Sequence, residues 1–218
     1  MDIEELKKLL GEFGKNIVFN QDLKKKNWFN IGGKSKVFFK AENLKDLVKF
    51  LKIIDKKEKI FVIGAGSNTL ITDNMFDGIV IKLSKNFNNT SLLRDDVIIS
   101  GSAVLDKNLS DFATNNNISG FEFLSCIPGS VGGGIKMNAG CFDREFKDIL
   151  LSIQAIDQIG NIVTIPSKEL NFEYRNSNLP EDLVFLSASF KGVKSNFNKI
   201  SSEVMKMKSQ KNKNQPLK

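Results

Sequence analysis

The feature that most constrains this fold is the stretch from Phe121 to Phe142, FEFLSCIPGSVGGGIKMNAGCF, where glycines at 129, 132, 133, 134 and 140 lie beside Pro128 and among apolar residues. Glycine has no Cβ and costs backbone entropy wherever it is held, so a dense cluster in an apolar setting marks backbone brought close to a ligand or to another segment. A tight turn with close helix packing would use the same letters as a ligand cradle. The rest of the sequence has to decide between them.

A second glycine turn points toward a ligand. Ile60 to Ile63 reads as a buried strand and runs straight into Gly64, Ala65, Gly66, Ser67 and Asn68. Backbone N–H groups of such a turn, with the Ser67 hydroxyl and the Asn68 amide, can converge on a phosphate without any cationic side chain. The dinucleotide fingerprint itself is not met. Thr69 stands where its last glycine belongs, and Leu70, Ile71, Asp73 and Asn74 read as an apolar step and a turn where a long helix would be needed. Gly33, Lys34 and Ser35 imitate the end of a P-loop, but Trp28 occupies the position of its first glycine. An ordinary strand-to-turn connection remains the alternative for 64–68.

Taken in order, the chain alternates helices and short strands. Ile3, Leu6, Leu9 and Leu10 predict an amphipathic helix from Asp2 to Phe13. Gly32 and Gly33 precede a β-rich run at Val37, Phe38 and Phe39. Asn43 caps a helix whose apolar face is Leu44, Leu47, Val48, Leu51 and Ile54. Ile79 to Leu83 and Val97 to Ser100 read as strands separated by a polar loop from Ser84 to Ser91, and Gly101, Ser102 and Ala103 lead to a helix carrying Leu105, Leu109, Phe112 and Ala113. Ser152 to Asp157 and Ile162 to Ile165 flank Gly160 as a hairpin, Leu183 to Phe190 is a strand, and a helix around Ile200, Val204 and Met207 gives way to a polar basic tail, SQKNKNQPLK. The expected class is α+β, with sheets over about Lys36 to Leu83 and Val97 to Phe190 and a cleft between them.

Composition removes several chemistries. With no histidine among 218 residues, histidine-dependent triads, most zinc sites and histidyl flavin attachment are excluded, and no metal ligand set is expected. A net charge of +7 favours anions, but the lysines are scattered among asparagine, isoleucine and phenylalanine and form no aromatic-interleaved stripe, so nucleic acid is not the expected partner. No apolar run approaches the ~20 residues that cross a bilayer and the N-terminus is charged, so no membrane insertion and a cytoplasmic location are expected. Cys126 and Cys141 fit that compartment without requiring a bond. Arg175, one of few arginines, follows the only tyrosine, Tyr174; its planar fork suits a carboxylate or phosphate, although a surface ion pair would use it too.

Read together, NWFNIGG near residue 30, VIGAGSNTLI at 62–71, GIVIKL at 78–83, GFEFLSCIPGSVGG at 120–133, MNAG at 137–140 and FEYRNS at 172–177 resemble, in order over nearly the whole chain, the UDP-N-acetylenolpyruvoylglucosamine reductases (MurB) of bacterial peptidoglycan synthesis. The resemblance implies the two-subdomain FAD-binding domain of the vanillyl-alcohol oxidase (PCMH) type. Its expected divisions are 1–83 and 84–195 as the two FAD-binding subdomains and 196–218 as a helix and tail leading to a substrate-binding domain.

By the same resemblance FAD is bound non-covalently. Gly64, Ala65, Gly66, Ser67 and Asn68 would hold its pyrophosphate, and Pro128, Gly129, Ser130, Gly132, Gly133, Asn138 and Gly140 would line the rest, with help from Gly101 and Ser102. NADPH would be the reductant and a UDP-sugar enolpyruvyl ether the acceptor, with Arg175 stabilising the enolate and Tyr174 beside it. The family's serine motif, which follows a Gln-Pro pair, and its glutamate have no counterpart in these residues, which end at Gln215, Pro216, Leu217 and Lys218. The resulting expectation is a flavin domain without its C-terminal substrate domain and with impaired turnover; a non-catalytic flavin- or nucleotide-binding module is the competing expectation.

Overall fold

The computed structural model describes residues 3–54 and 56–214, so Asp2 of the expected opening helix and residues 215–218 of the expected tail lie outside the described residues. In chain order the elements are α1 (Ile3–Leu10), β1 (Ile17–Asp22), β2 (Lys34–Ala41), α2 (Leu44–Ile53), β3 (Ile60–Val62), β4 (Phe76–Leu83), β5 (Thr90–Arg94) and β6 (Val97–Gly101). Next come α3 (Asp106–Asn115), β7 (Ile118–Ser119), α4 (Val131–Lys136), β8 (Gly140–Cys141), β9 (Arg144–Glu145), β10 (Leu150–Ile156), β11 (Ile162–Pro166), β12 (Val184–Lys191), β13 (Val193–Lys194) and α5 (Phe197–Asn214).

Two sheets carry the architecture. The first has the order β1-β2-β4-β3, with β1 antiparallel and the remaining pairs parallel. Helix α2 forms the connection between β2 and β3, and the Asn43 side chain caps it by accepting from the Asp46 N–H, as the sequence predicts. The second sheet, β11-β10-β12-β6-β5, is antiparallel throughout. Two short pairings, β13 with β7 and β8 with β9, tie down loops around it.

Each sheet has its own core of aromatic side chains. Phe13, Phe39 and Phe50 cluster under the first sheet, with the Phe39 and Phe50 rings stacked at 4.0 Å. Phe121, Phe123, Phe146 and Phe190 meet edge to face within the second. Burying each such side chain contributes about 1.5–3 kcal/mol. Ile156, Val184 and Leu186, at one end of β10 and β12, belong to the first core although their strands belong to the second sheet.

Two local expectations need correction, and one helix lies where the sequence predicts none. The polar loop expected from Ser84 to Ser91 ends in strand, because β5 begins at Thr90; its mostly exposed edge residues give no period-two burial pattern to read. The glycine run itself contains a helix, α4, although three consecutive glycines each cost about 1 kcal/mol relative to alanine. Packing holds it. The tail expected from Ser209 is helical as far as Asn214, where lysine, serine and glutamine extend a helix anchored by buried Ile200 and Val204.

Candidate active site

The two glycine stretches line one cleft of about 1310 Å³. They touch at one point: a Cβ added to Gly64 would lie 2.3 Å from the Ser130 hydroxyl oxygen. The turn after β3 is also fastened from behind, since Trp28 donates its N–H to the Gly66 carbonyl at 2.9 Å and a Cβ at Gly66 would lie 2.4 Å from the Lys26 carbonyl oxygen. Gly66 has φ +69°, a conformation side chains disfavour, so two independent constraints require glycine there.

The glycines from 129 to 140 divide by what their missing side chains face. A Cβ at Gly134 would enter the Phe146 ring at 2.3 Å, one at Gly140 would meet the Arg144 carbonyl at 2.5 Å, and one at Gly129 would meet an Asp106 carboxyl oxygen at 2.5 Å. These close approaches are between protein segments. Gly133 differs, because the nearest atom to its added Cβ is the Ser130 Oγ at 3.6 Å and Gly133 lies in the cleft wall. Here the backbone is bare toward the cleft.

Asp106, the first residue of α3, is fully buried, and neither carboxyl oxygen has a hydrogen-bond partner among the described residues. Burial pushes its pKa well above the usual carboxylate range. The opposite sign dominates elsewhere in the cleft, where Lys82, Lys136, Lys211 and Arg175 all line the wall. Three of these donate to backbone carbonyls: Lys82 to Gly64 at 3.1 Å, Lys136 to Leu179 at 3.0 Å, and Lys211 to Cys126 at 2.5 Å. None of the four forms an ion pair with a carboxylate among the described residues, whereas Lys36, Lys40, Lys49, Lys147, Lys191 and Lys206 do. Glu181 is the one other acid among the described residues of the lining, so the cleft presents an excess of positive charge to a ligand.

Arg175 sits at the tip of a two-residue turn closed by reciprocal backbone bonds between Glu173 and Asn176. Its φ of +59° places it in the left-handed region, a local cost of roughly 1–2 kcal/mol that the surrounding structure has to offset. Asn138 supplies part of that support. Its amide donates to the Glu173 carbonyl at 3.0 Å and to Glu145, while its oxygen accepts from the Lys147 N–H. Cys126 and Cys141 are both free thiols in the cleft wall, and burial, then the neighbouring Cys126, raises the pKa of Cys141.

Of the residues expected in the site, 64–68, Ser102, Pro128, Gly129, Ser130, Gly132, Gly133, Gly140 and Arg175 line the cleft. Gly101 does not; it faces the Phe87 carbonyl, which a Cβ would meet at 2.1 Å. Asn138 lies behind the wall with its bonds made to protein, and Tyr174 points outward at 82% exposure with its ring 5.8 Å from the Arg175 guanidinium carbon. Sequence reading missed Lys82, Lys136, Lys211 and Asp106. Lys82 was recoverable: it is the one charged residue closing the apolar run of β4, and ligands gather at the carboxyl ends of parallel strands.

A glycine that leaves the backbone bare and cations lacking carboxylate partners suit an anionic ligand brought close to the chain. FAD has that chemistry. In comparisons with known proteins, residues 35–166 match the FAD binding domain family. A UDP-N-acetylenolpyruvoylglucosamine reductase from Pelagibacter ubique is 61% identical over the whole chain, which spans 72% of that protein's length. The reductase of the same name from Rickettsia typhi is 44% identical over 208 residues, covering 95% of this chain and 69% of its own. A solved structure of UDP-N-acetylenolpyruvylglucosamine reductase (MurB) from Thermus caldophilus aligns with a TM-score of 0.79 at 27% identity, over 93% of this chain and 70% of that one. p-Cresol methylhydroxylase with substrate bound aligns at TM-score 0.59 and 15% identity, over 88% of this chain and 43% of that one, and shares the fold.

Proposed function

The chain belongs to the UDP-N-acetylenolpyruvoylglucosamine reductase family, and from that premise we propose that its cleft holds FAD, that NADPH is the reductant and that the acceptor is the enolpyruvyl ether of a UDP-sugar. The observation that carries this reading is the cleft wall itself, where the bare backbone at Gly133 and the 64–68 turn share a lining with cations that have no carboxylate partners. When bound, FAD supplies hydride acceptance and hydride delivery.

This chain's own residues would then do the following. The backbone N–H groups of 64–68 and the Ser67 hydroxyl bind the pyrophosphate. Gly133 admits the cofactor close to α4, while Gly132 packs against Ser102, whose hydroxyl donates to the Phe185 carbonyl and fixes the adjoining wall. Arg175 binds the carboxylate end of the acceptor and stabilises negative charge developing there, with Asn138 holding its turn in place. Tyr174 stacks its ring near the guanidinium and limits where it can swing. The cleft would lie between subdomains 1–83 and 84–195, with Lys211 of the following helix also in its wall.

The test is direct. Apo chain titrated with FAD is expected to bind stoichiometrically, with a structured visible flavin spectrum, and to oxidise NADPH in its presence. Arg175→Ala is expected to leave FAD uptake unchanged while weakening retention of the enolpyruvyl acceptor by about ten-fold or more. A chain that remains colourless after the titration would overturn the reading.

A further inference from the structure

Lys82 stands at the phosphate turn, and its surroundings say more than its presence in the wall. It lies one residue before the end of β4, and the parallel register of β3 with β4, which pairs Val62 with Ile81, brings it beside the start of the turn. Its ammonium donates to the Gly64 carbonyl. Two other charges belong to its neighbourhood. Lys26, in the short 3-10 turn Lys24–Lys26, sits with its carbonyl against Gly66 and its ammonium over the Phe38 ring; Lys40, opposite Lys82 in the β2–β4 register, is already paired with Glu42. The uncompensated neighbour of this half-buried cation is therefore another cation. Such an arrangement is unfavourable until a counter-charge arrives.

We propose that Lys82 is a cofactor-binding residue that selects for the diphosphate of the flavin dinucleotide, bracing the Gly64 carbonyl while supplying the positive charge that the backbone turn lacks. The proposal rests on the reading of this cleft as an FAD site. Burial, and then Lys26, lowers the Lys82 pKa below that of an ordinary lysine. An anion bound beside it favours the protonated form, so FAD affinity falls as pH rises through that lowered value. Arginine stays charged over the same range.

The experiment measures FAD dissociation constants by flavin fluorescence, from neutral to alkaline pH, for the wild-type chain, Lys82→Met and Lys82→Arg. Lys82→Met is expected to bind at least about ten-fold more weakly at neutral pH, the loss of one charge-assisted bond. It should also show a flatter pH profile than wild type. Lys82→Arg is expected to keep wild-type affinity at neutral pH and to lose the alkaline decline. Should Lys82→Met fail to fold by circular dichroism, Lys82→Arg carries the test alone. Equal affinity in Lys82→Met, or an alkaline decline that persists in Lys82→Arg, overturns the inference while leaving the FAD site intact. A wild-type chain that takes up no FAD overturns both.

Discussion

The turn at 64–68 and the stretch at 129–140 read alike as sequence, yet the glycines in them answer to different neighbours. In the first, Gly66 is required twice over, by its positive φ and by the Lys26 carbonyl behind it. In the second, Gly129, Gly134 and Gly140 each make room for a protein atom, and Gly133 is left facing the cleft. A glycine-rich motif is thus mostly a way of packing chain against chain, and the few residues that meet the ligand are exposed by that packing.

The sharpest way to break this division is Gly134→Ala. Its methyl would enter the ring of Phe146, which is fully buried and held edge to face by Phe123 and Phe190, so the ring cannot yield cheaply. A loss of about 3 kcal/mol is expected, read as a thermal midpoint about 6–12 °C lower by calorimetry. Gly66→Ala should follow at about 2 kcal/mol from strain in the left-handed region together with the carbonyl clash, and FAD uptake should weaken with it.

Gly133→Ala sharpens the contrast from the other side. Alanine in α4 gains up to about 1 kcal/mol of helix propensity, so thermal stability should hold or rise while FAD affinity, measured by fluorescence titration, falls. If Gly133→Ala melts like Gly134→Ala, the distinction between packing and ligand-facing glycines is wrong.

The second wall also holds Asp106, whose effect grows with pH. Its folded pKa lies above its unfolded value, so between the two the folded state binds more protons and stability declines as pH rises. Asp106→Asn removes that slope. The variant should match wild type below the ordinary carboxylate range and exceed it by a widening margin as pH rises above that range. Parallel melting-temperature profiles of the two proteins would refute the raised folded pKa.

Much of the fold was legible because local signals agreed with tertiary ones. Asn43 caps α2 as its side chain demands, Gly160 turns the β10–β11 hairpin, and the strand before Gly64 ends where the glycines begin. The division of labour among the clustered glycines was not legible, since it depends on Phe146 and Asp106, residues brought there by the fold and not by spacing. Nor was the role of Asn138. Its letter sits inside a motif associated with the cofactor, but its three bonds go to Glu145, Lys147 and Glu173, so its influence reaches Arg175 through the backbone of a distant turn. Lys82 lay in view and was passed over, because a lysine ending a strand normally reads as a solvated terminus.

Ile156, Val184 and Leu186 cross from the second sheet into the core of the first. Spreading the cleft walls by rotating one half away from the other would expose all three, at a cost of about 4–9 kcal/mol. Spontaneous opening by that route is rarer than roughly one molecule in a thousand. The walls therefore behave as a fixed mould, and the excess charge they carry is one that a bound anion can match and a movement of the walls cannot.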